Sequence, residues 1–382
     1  MDVVRFGIIG VGGMGTGHAR NMPKIEEVRL TAVADTDPTA LKTAVDNFDV
    51  PGFPNATALI NSGLVDAVII ATPHYFHPII AVEAMKAGLH VISEKPMAVQ
   101  VSQADEMIRV AKETGRVFGV MFNVRSVPAA QAAKKLIREG RLGEIYRTLH
   151  VAAYFRSQAY YDSATWRATW KGEGGGVIMN QGPHGLDLFT WLGGMPSRVL
   201  GRTMTRQHRI EVEDEASAML EYPNGATGYI HQSVNEMPGF SRIEICGEYG
   251  KLVLEDDKLR FWEVPQGVRG YSDSTDQMWG SPETREVPVE IEPREFGHAA
   301  IVRNVANAIM HGEPLISPGA EAILGLEVAN AMWLSADRGG QWVDVPVDRA
   351  AFDAFLERKK AASKDKNAAG PVRRITDPRF AK

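Results

Sequence analysis

One cysteine, Cys246, stands in 382 residues. It excludes an internal disulfide and any metal site built from a cysteine cluster. A basic excess is also missing: the formal net charge is −5, which leaves no electrostatic footprint for nucleic acid or an acidic membrane surface. No stretch approaches 18 uninterrupted apolar residues, so no membrane-crossing helix is expected. The first apolar run begins at about residue 3. That leaves no room for a secretory signal ahead of the fold, and a cytoplasmic location is expected. The histidines show no metal-ligand spacing with carboxylates or thiolates, and no metal is expected. The nucleophile-elbow pattern G-x-S-x-G is absent, and so is any internal repeat.

What is present is the composition of an ordinary globular protein, 44% hydrophobic and 23% charged, at a length that suits two domains. The chain is organised around Gly10-Val11-Gly12-Gly13-Met14-Gly15, directly behind the apolar run Val3 to Ile9. In a G-x-G-x-x-G turn the first glycine allows a tight exit from a strand. The second lets the backbone approach a pyrophosphate, and the third lets the next helix pack on the sheet. That helix points its free N–H groups and positive dipole end at the phosphates. Glycine is common here, at 37 residues, so the context has to agree. A strand precedes the turn, and a second buried strand, Val28 to Ala34, ends on Asp35. This acid lies about 20 residues past Gly15, where a carboxylate takes the adenosine ribose hydroxyls. Asp35 repels a 2′-phosphate, and Thr36-Asp37-Pro38 supply no cation to attract one, so NAD is expected rather than NADP.

Strand and helix then alternate. Helices are expected over Pro38 to Phe48, Asn55 to Asn61, Phe76 to Lys86 and Val101 to Glu113. Strands are expected over Leu64 to Ala71, Leu89 to Ser93 and Arg116 to Phe122. Continuous Val/Ile runs between helices mean an α/β domain with a doubly wound parallel sheet, whose ligands lie at the carboxyl strand ends. Those ends are Ala71-Thr72-Pro73-His74, Glu94-Lys95-Pro96 and Asn123-Val124-Arg125. After a linking helix, Pro128 to Glu139, strand-like stretches dominate: Ile145 to Phe155, Ser197 to Thr205, Ala216 to Tyr222, Ala226 to Val234, Ser241 to Cys246 and Lys251 to Leu254. This reads as the large antiparallel sheet of a second α/β domain, with late helices near Phe296 to Met310 and Gly319 to Ala336. Three segments are expected: 1–124, 125–356, and a polar tail 357–382 that is either a docking arm or a solvated terminus.

Several patches together resemble the glucose–fructose oxidoreductase/inositol dehydrogenase/MocA family of NAD(P)-dependent oxidoreductases. They are the glycine turn, Ala71-Thr72-Pro73 followed by His77, Ser93-Glu94-Lys95-Pro96, Trp166-Arg167, Gly174-Gly175-Gly176, and Asn180 to Asp187. The likeness covers nearly the whole chain apart from its tail. It implies a Rossmann domain followed by a substrate-binding and oligomerisation domain with an open antiparallel sheet. It also implies an active site between the two and a homo-oligomer, dimer or tetramer. By position, Lys95 looks like the lysine at the reacting hydroxyl, with Glu94 beside the nicotinamide. Thr72, Pro73, His77 and Asn123 lie along the cofactor's path, Trp166 and Arg167 close over cofactor and substrate, and His184 looks like the catalytic histidine. The family's Asp-x-x-x-His is here Asn180-Gln181-Gly182-Pro183-His184.

Chemically, an ammonium at a strand end held by a following proline suits polarising a carbonyl or steadying an alkoxide. Hydride transfer from a carbinol needs a base for the hydroxyl proton, and a histidine near its ordinary pKa of about 6.5 fits. Asn180 carries no charge and is read as an orienter. It shares a helix face with His184 if the helix starts at Gly176, but lies in a loop if Pro183 opens the helix. Asp187 either holds the helix or reaches the imidazole. Arg125, Tyr154, Arg156 and Arg167 are the remaining expected substrate contacts, although the aromatics equally suit the sheet's core. The expected activity is NAD-dependent oxidation of a CH–OH group on a sugar, glycoside or cyclitol, with Lys95, His184 and Asn180 at the hydroxyl. The alternatives are an NAD-dependent glycosidase or epimerase, an aromatic dihydrodiol dehydrogenase, and a non-catalytic NAD-binding regulator.

Overall fold

The computed structural model describes residues 3–364 and 366. The first part alternates as its sequence pattern requires: β1 (Val4–Ile9), α1 (Gly13–Asn21), β2 (Val28–Ala34), α2 (Pro38–Phe48), β3 (Gly52–Phe53), α3 (Ala56–Ile60) and β4 (Ala67–Ile70). It continues with α4 (Phe76–Lys86), β5 (His90–Ser93), α5 (Val101–Thr114) and β6 (Phe118–Val120). Asp37 caps α2 by accepting from the Thr39 and Ala40 amides, with Pro38 at the first helical position. The strands pair in parallel in the order β3-β2-β1-β4-β5-β6. The order reverses between β1 and β4, which opens the ligand crevice of a doubly wound sheet at the carboxyl end of β1. Val68, Ile69 and Ile70 are buried on both faces of β4. The flanking Leu64 to Asp66 and Ala71 fall outside the strand, so the expected run is trimmed at both ends.

The linker is α6 (Pro128–Arg138), followed by β7 (Ile145–Phe155), α7 (Gln158–Tyr161), α8 (Pro183–Gly193), β8 (Arg198–Met204), β9 (Glu215–Glu221), β10 (Thr227–Ser233) and β11 (Asn235–Gly247). Next come β12 (Gly250–Glu255), β13 (Lys258–Glu263), α9 (Val268–Ser274), β14 (Arg285–Val287), α10 (His298–His311), α11 (Gly319–Asp337), β15 (Val343–Asp344) and α12 (Arg349–Ala362). The nine-stranded sheet runs β14-β13-β12-β11-β7-β10-β9-β8-β15. It is mixed rather than wholly antiparallel, because β10 pairs in parallel with β7. Alternation along a strand fixes which face is buried but not the direction of its neighbour. β13, β14 and β15 were not legible, being short, charged or at an edge.

One face of this sheet is covered. His150 of β7 stacks on Phe189 of α8 at 5.8 Å, and Gly201 of β8 lies against the backbone of Met332 in α11. α11 is buried over most of its length and carries the buried Trp333. α10 returns to the first sheet, packing Ile301, Val302 and Val305 with Phe6 and Ile8. The tail expected from Glu357 is corrected at its start: α12 runs through Ala362 because Phe352, Phe355 and Leu356 give it a buried stripe. The rest of that segment, apart from Ser363, Lys364 and Lys366, lies outside the described residues. Among the described residues, no helix is long and apolar enough to cross a membrane.

Candidate active site

The glycine turn is closed on two sides and open on one. Gly10 has φ +92°, and a Cβ there would sit 2.7 Å from the Ala71 carbonyl oxygen. A Cβ on Gly15 would sit 1.8 Å from the Gly10 carbonyl, so only glycine lets α1 lie this close. Around Gly12 nothing lies within 4 Å of that point. Gly13 and Met14 are exposed at the first turn of α1, and no side chain caps that helix. Asp35 accepts from the Val11 amide at 2.9 Å and the Asp37 amide at 2.8 Å, leaving further lone pairs on each oxygen. Thr36 is exposed beside it. At the β4 end, Thr72 Oγ1 is buried without a hydrogen-bond partner. Pro73 follows it, half-buried, and Asn123 is half-buried at the turn after β6. The open cradle at Gly12, the acid behind it and the orphaned hydroxyl fit a dinucleotide.

His77 is placed differently from its expected contact with the cofactor. Its ring is 1% exposed, and both nitrogens face backbone carbonyls, Pro96 O at 2.8 Å and Thr72 O at 2.7 Å. With no nitrogen left for a ligand, it ties together the turns after β4 and β5.

Glu94 is also engaged. Oε1 lies 2.7 Å from His18 Nε2 on α1, and Oε2 accepts from the Lys95 amide at 3.1 Å. Burial alone would raise its pKa, but the His18 hydrogen bond and the positive charges around it, Lys95 among them, hold the carboxyl down at about 2. The Lys95 ammonium does not turn back to Glu94. It donates to the Asn180 carbonyl oxygen at 2.9 Å, across the boundary between the two sheets. Burial lowers the Lys95 pKa, with Arg167 and Arg156 adding to the effect and Glu94 and Glu173 opposing it.

Pro183 opens α8, so Asn180 lies in the loop before the helix, and the shared-face arrangement with His184 does not occur. The His184 ring packs edge-on to Phe122 at 5.8 Å, and its Nδ1 is buried without a partner. Burial, then the Lys95 charge, pushes the imidazole down to about 3. The expectation of an ordinary histidine near 6.5 is corrected by that desolvation.

The stretch 154–181 brings the second domain onto the first. The Trp166 ring meets His74 at 6.1 Å, and His74 Nδ1 lies 2.8 Å from the Glu173 carbonyl. Arg167 lies over Tyr160 and Trp166, at 4.3 and 4.7 Å from the ring centroids. Arg156 lies over the same Tyr160 ring at 5.3 Å. Tyr154 is half-buried near the end of β7 and packs against the core. Arg125 is the clear departure. It is fully buried, and its Nε and Nη2 grip Asp187 at 2.8 and 2.7 Å while Nη1 reaches Glu321 at 2.6 Å. Its expected contact with substrate is therefore corrected: the guanidinium joins the turn after β6 to α8 and α11. Asp187 thereby holds the helix and does not reach the imidazole.

Two carboxylates escaped the sequence reading. Glu173 is 1% exposed. Its Oε1 accepts from the Asn180 amide, its Oε2 from the Ala168 amide at 2.5 Å, and Arg167 Nη1 lies 3.6 Å away. Glu213, also buried, accepts from the Gly176 and Ile178 amides at 2.9 and 3.1 Å. A Cβ on Gly176 would sit 1.7 Å from the Glu213 carbonyl oxygen. The acid directly before three glycines was the one available signal for Glu173. Nothing local marks Glu213, which comes from a distant loop.

Comparison with known proteins gives matches over both sheets. The model GFO_IDH_MocA, described as an oxidoreductase family with an NAD-binding Rossmann fold, matches residues 4–122. The GFO/IDH/MocA C-terminal domain matches residues 130–253. A glycosyl hydrolase family 109 protein of Shewanella pealeana is 30% identical over 254 residues, 59% of this chain and 54% of that relative. The chain thus spans about half the length of the curated relatives it matches first. An uncharacterized oxidoreductase, YdgJ of Escherichia coli, is 28% identical over 86% of this chain and 94% of its own. The WlbA dehydrogenase of Bordetella pertussis, solved with NADH and UDP-GlcNAcA, superposes with a TM-score of 0.77 at 30% identity, covering 91% of this chain and all of that one. A levoglucosan dehydrogenase solved with NADH gives 0.76 at 25% identity, covering 90% of this chain and 100% of that one.

Proposed function

The chain belongs to the glucose–fructose oxidoreductase/inositol dehydrogenase/MocA family of oxidoreductases, and from that premise we propose that it oxidises a CH–OH group of a sugar or cyclitol, or reduces the matching ketone, with NAD. The observation that carries this reading is the Lys95 ammonium reaching the Asn180 carbonyl, which brings a strand end of the cofactor domain against the loop that leads into His184.

NAD, when bound, supplies the hydride acceptor. Gly10, Gly12 and Gly15 would hold its pyrophosphate on the backbone, and Asp35 its adenosine ribose. Lys95 donates to the substrate oxygen and steadies charge that develops there. His184 Nδ1, unpartnered, is the acceptor we assign to the hydroxyl proton. Burial first, and then the Lys95 charge, lower the imidazole pKa to about 3, so it stands neutral and able to accept. Asn180 is fixed by Glu173 through its Nδ2, which presents its Oδ1 as an acceptor.

The test is direct. Polyols, glycosides and dihydrodiols are screened with NAD+ by the absorbance of NADH, and both dinucleotides are titrated by protein fluorescence. NAD(H) should bind at least about tenfold tighter than NADP(H), and a polyol or glycoside should be turned over. Failure to bind NADH would refute the reading. The 30% identity to a glycosyl hydrolase favours one second reading, in which the cofactor is reduced and reoxidised within one turnover. Release of an aglycone with no net NADH would establish it.

A further inference from the structure

The cleft gathers more positive charge than its own carboxylates answer. Lys95 reaches the Asn180 carbonyl, the Asn180 side chain donates to Glu173, Arg167 lies 3.6 Å from Glu173, and Arg156 shares the Tyr160 ring with Arg167. Glu94 is taken by His18, and Glu173 lies beside Arg167. Among the described residues, no carboxylate lies within ion-pair range of Arg156, whose Nη1 donates to the Phe155 carbonyl at 2.8 Å. Arg156 and Arg167 nevertheless converge on one ring, Tyr160, at 5.3 and 4.3 Å. Two guanidiniums on one ring repel each other, and the face of the ring offsets only part of that. The same corner holds unsatisfied atoms. Arg167 Nε and Gln181 Oε1 are buried without partners, while Gln181 Nε2 donates to the Tyr160 hydroxyl at 3.2 Å.

We propose that Arg156 and Arg167, set around Tyr160, form an anion subsite, and that the substrate is a sugar acid whose carboxylate docks there while its hydroxyl meets Lys95. A planar two-oxygen anion matches the guanidinium fork. Of the two guanidiniums, Arg167 already faces Glu173 and Arg156 alone is left to be answered, which favours a monoanion over a phosphate dianion. This rests on the oxidoreductase reading of the site and names its substrate class.

The experiment titrates the complex of the protein with NADH against matched probes, following NADH fluorescence. D-Glucuronate is compared with D-glucose, D-gluconate with D-glucitol, and D-glucose 6-phosphate with both acids. Each acid should bind at least about tenfold tighter than its neutral partner. In Arg156→Gln that preference should fall to within about twofold, Arg156→Lys should restore part of it, and NADH affinity should not change in either variant. Equal binding of acids and neutral sugars, measurable or not, overturns the subsite, as does a preference that survives Arg156→Gln combined with Arg167→Gln. Tighter binding of the phosphate than of both acids overturns the carboxylate. Turnover of neutral sugars without an acid preference sinks the subsite but leaves the oxidoreductase reading intact, whereas failure of the wild-type protein to bind NADH sinks that reading instead.

Discussion

Lys95 and His184 differ in how the fold holds them. Lys95 is directed by a hydrogen bond to the Asn180 carbonyl, while His184 keeps an unpartnered nitrogen. If they handle the hydroxyl proton, Lys95→Met and His184→Ala should each lower kcat by about 10²–10⁴-fold. NADH affinity should change little, because the glycine turn and Asp35 are intact. Near-normal turnover in both variants would remove the site. The pH profile separates the roles further. With the imidazole held near 3, kcat/KM should show no acidic limb from His184 near pH 6.5. Asn180→Asp puts a carboxylate in the loop ahead of it and favours imidazolium, so the acidic limb should move upward. A limb that stays put would mean Asn180 is not beside the titrating base. Arg125 should behave as a structural group. Arg125→Ala leaves Asp187 buried without its partner and should cost about 3–5 kcal/mol in urea unfolding. A stable variant with weakened substrate binding would restore the contact first expected of it.

At the scale of the element, the loop 174–182 is the critical piece. It carries Asn180, receives Lys95, and is held from behind by Glu213. Burial outweighs the two amides that Glu213 accepts from and pushes its carboxyl up to about 7. A carboxyl whose folded pKa is raised binds its proton more tightly in the native state. Stability therefore falls as pH rises from about 4.5 to about 7, and the whole penalty, on the order of 3 kcal/mol, is present above that. Glu213→Gln should flatten this slope, and thermal melting between pH 5 and 8 would check it. An unchanged slope would mean that the carboxyl is not strained by burial. Helix α8 shows how such elements escape a local reading. The sequence left two arrangements open for Asn180 and His184, and in the fold Pro183 opens the helix.

At the scale of the molecule, the nine-stranded sheet covers one face with α8 and α11 and leaves the other open. Leu149, Tyr229 and Met219 stand in register across β7, β10 and β9 on that open face, with Tyr229 41% and Met219 56% exposed. An apolar row of this kind is expected to be covered by a second copy of the chain. Sedimentation at micromolar concentration should show a dimer or tetramer, and Met219→Lys should shift it toward the monomer. A single 41.8 kDa species in the wild-type protein would contradict this.

The sequence alone determined the dinucleotide turn, the acid after β2, the doubly wound sheet and the lysine at its strand end. These follow from short-range rules: where glycine is required, where apolar runs must be buried, and which strand ends face a crevice. It also marked Trp166, Arg167 and the glycine run as a second-domain patch. Only the tertiary structure decided what each charge meets. Arg125 turned inward because Asp187 and Glu321, remote in sequence, converge on it. Glu213 became a site residue because a segment 37 residues away placed the Gly176 amide on it, and Glu173 because the loop around it folded the Ala168 amide and the Asn180 side chain onto it. Charge pairing and desolvation depend on distances through space, and period and spacing along the chain do not encode those distances.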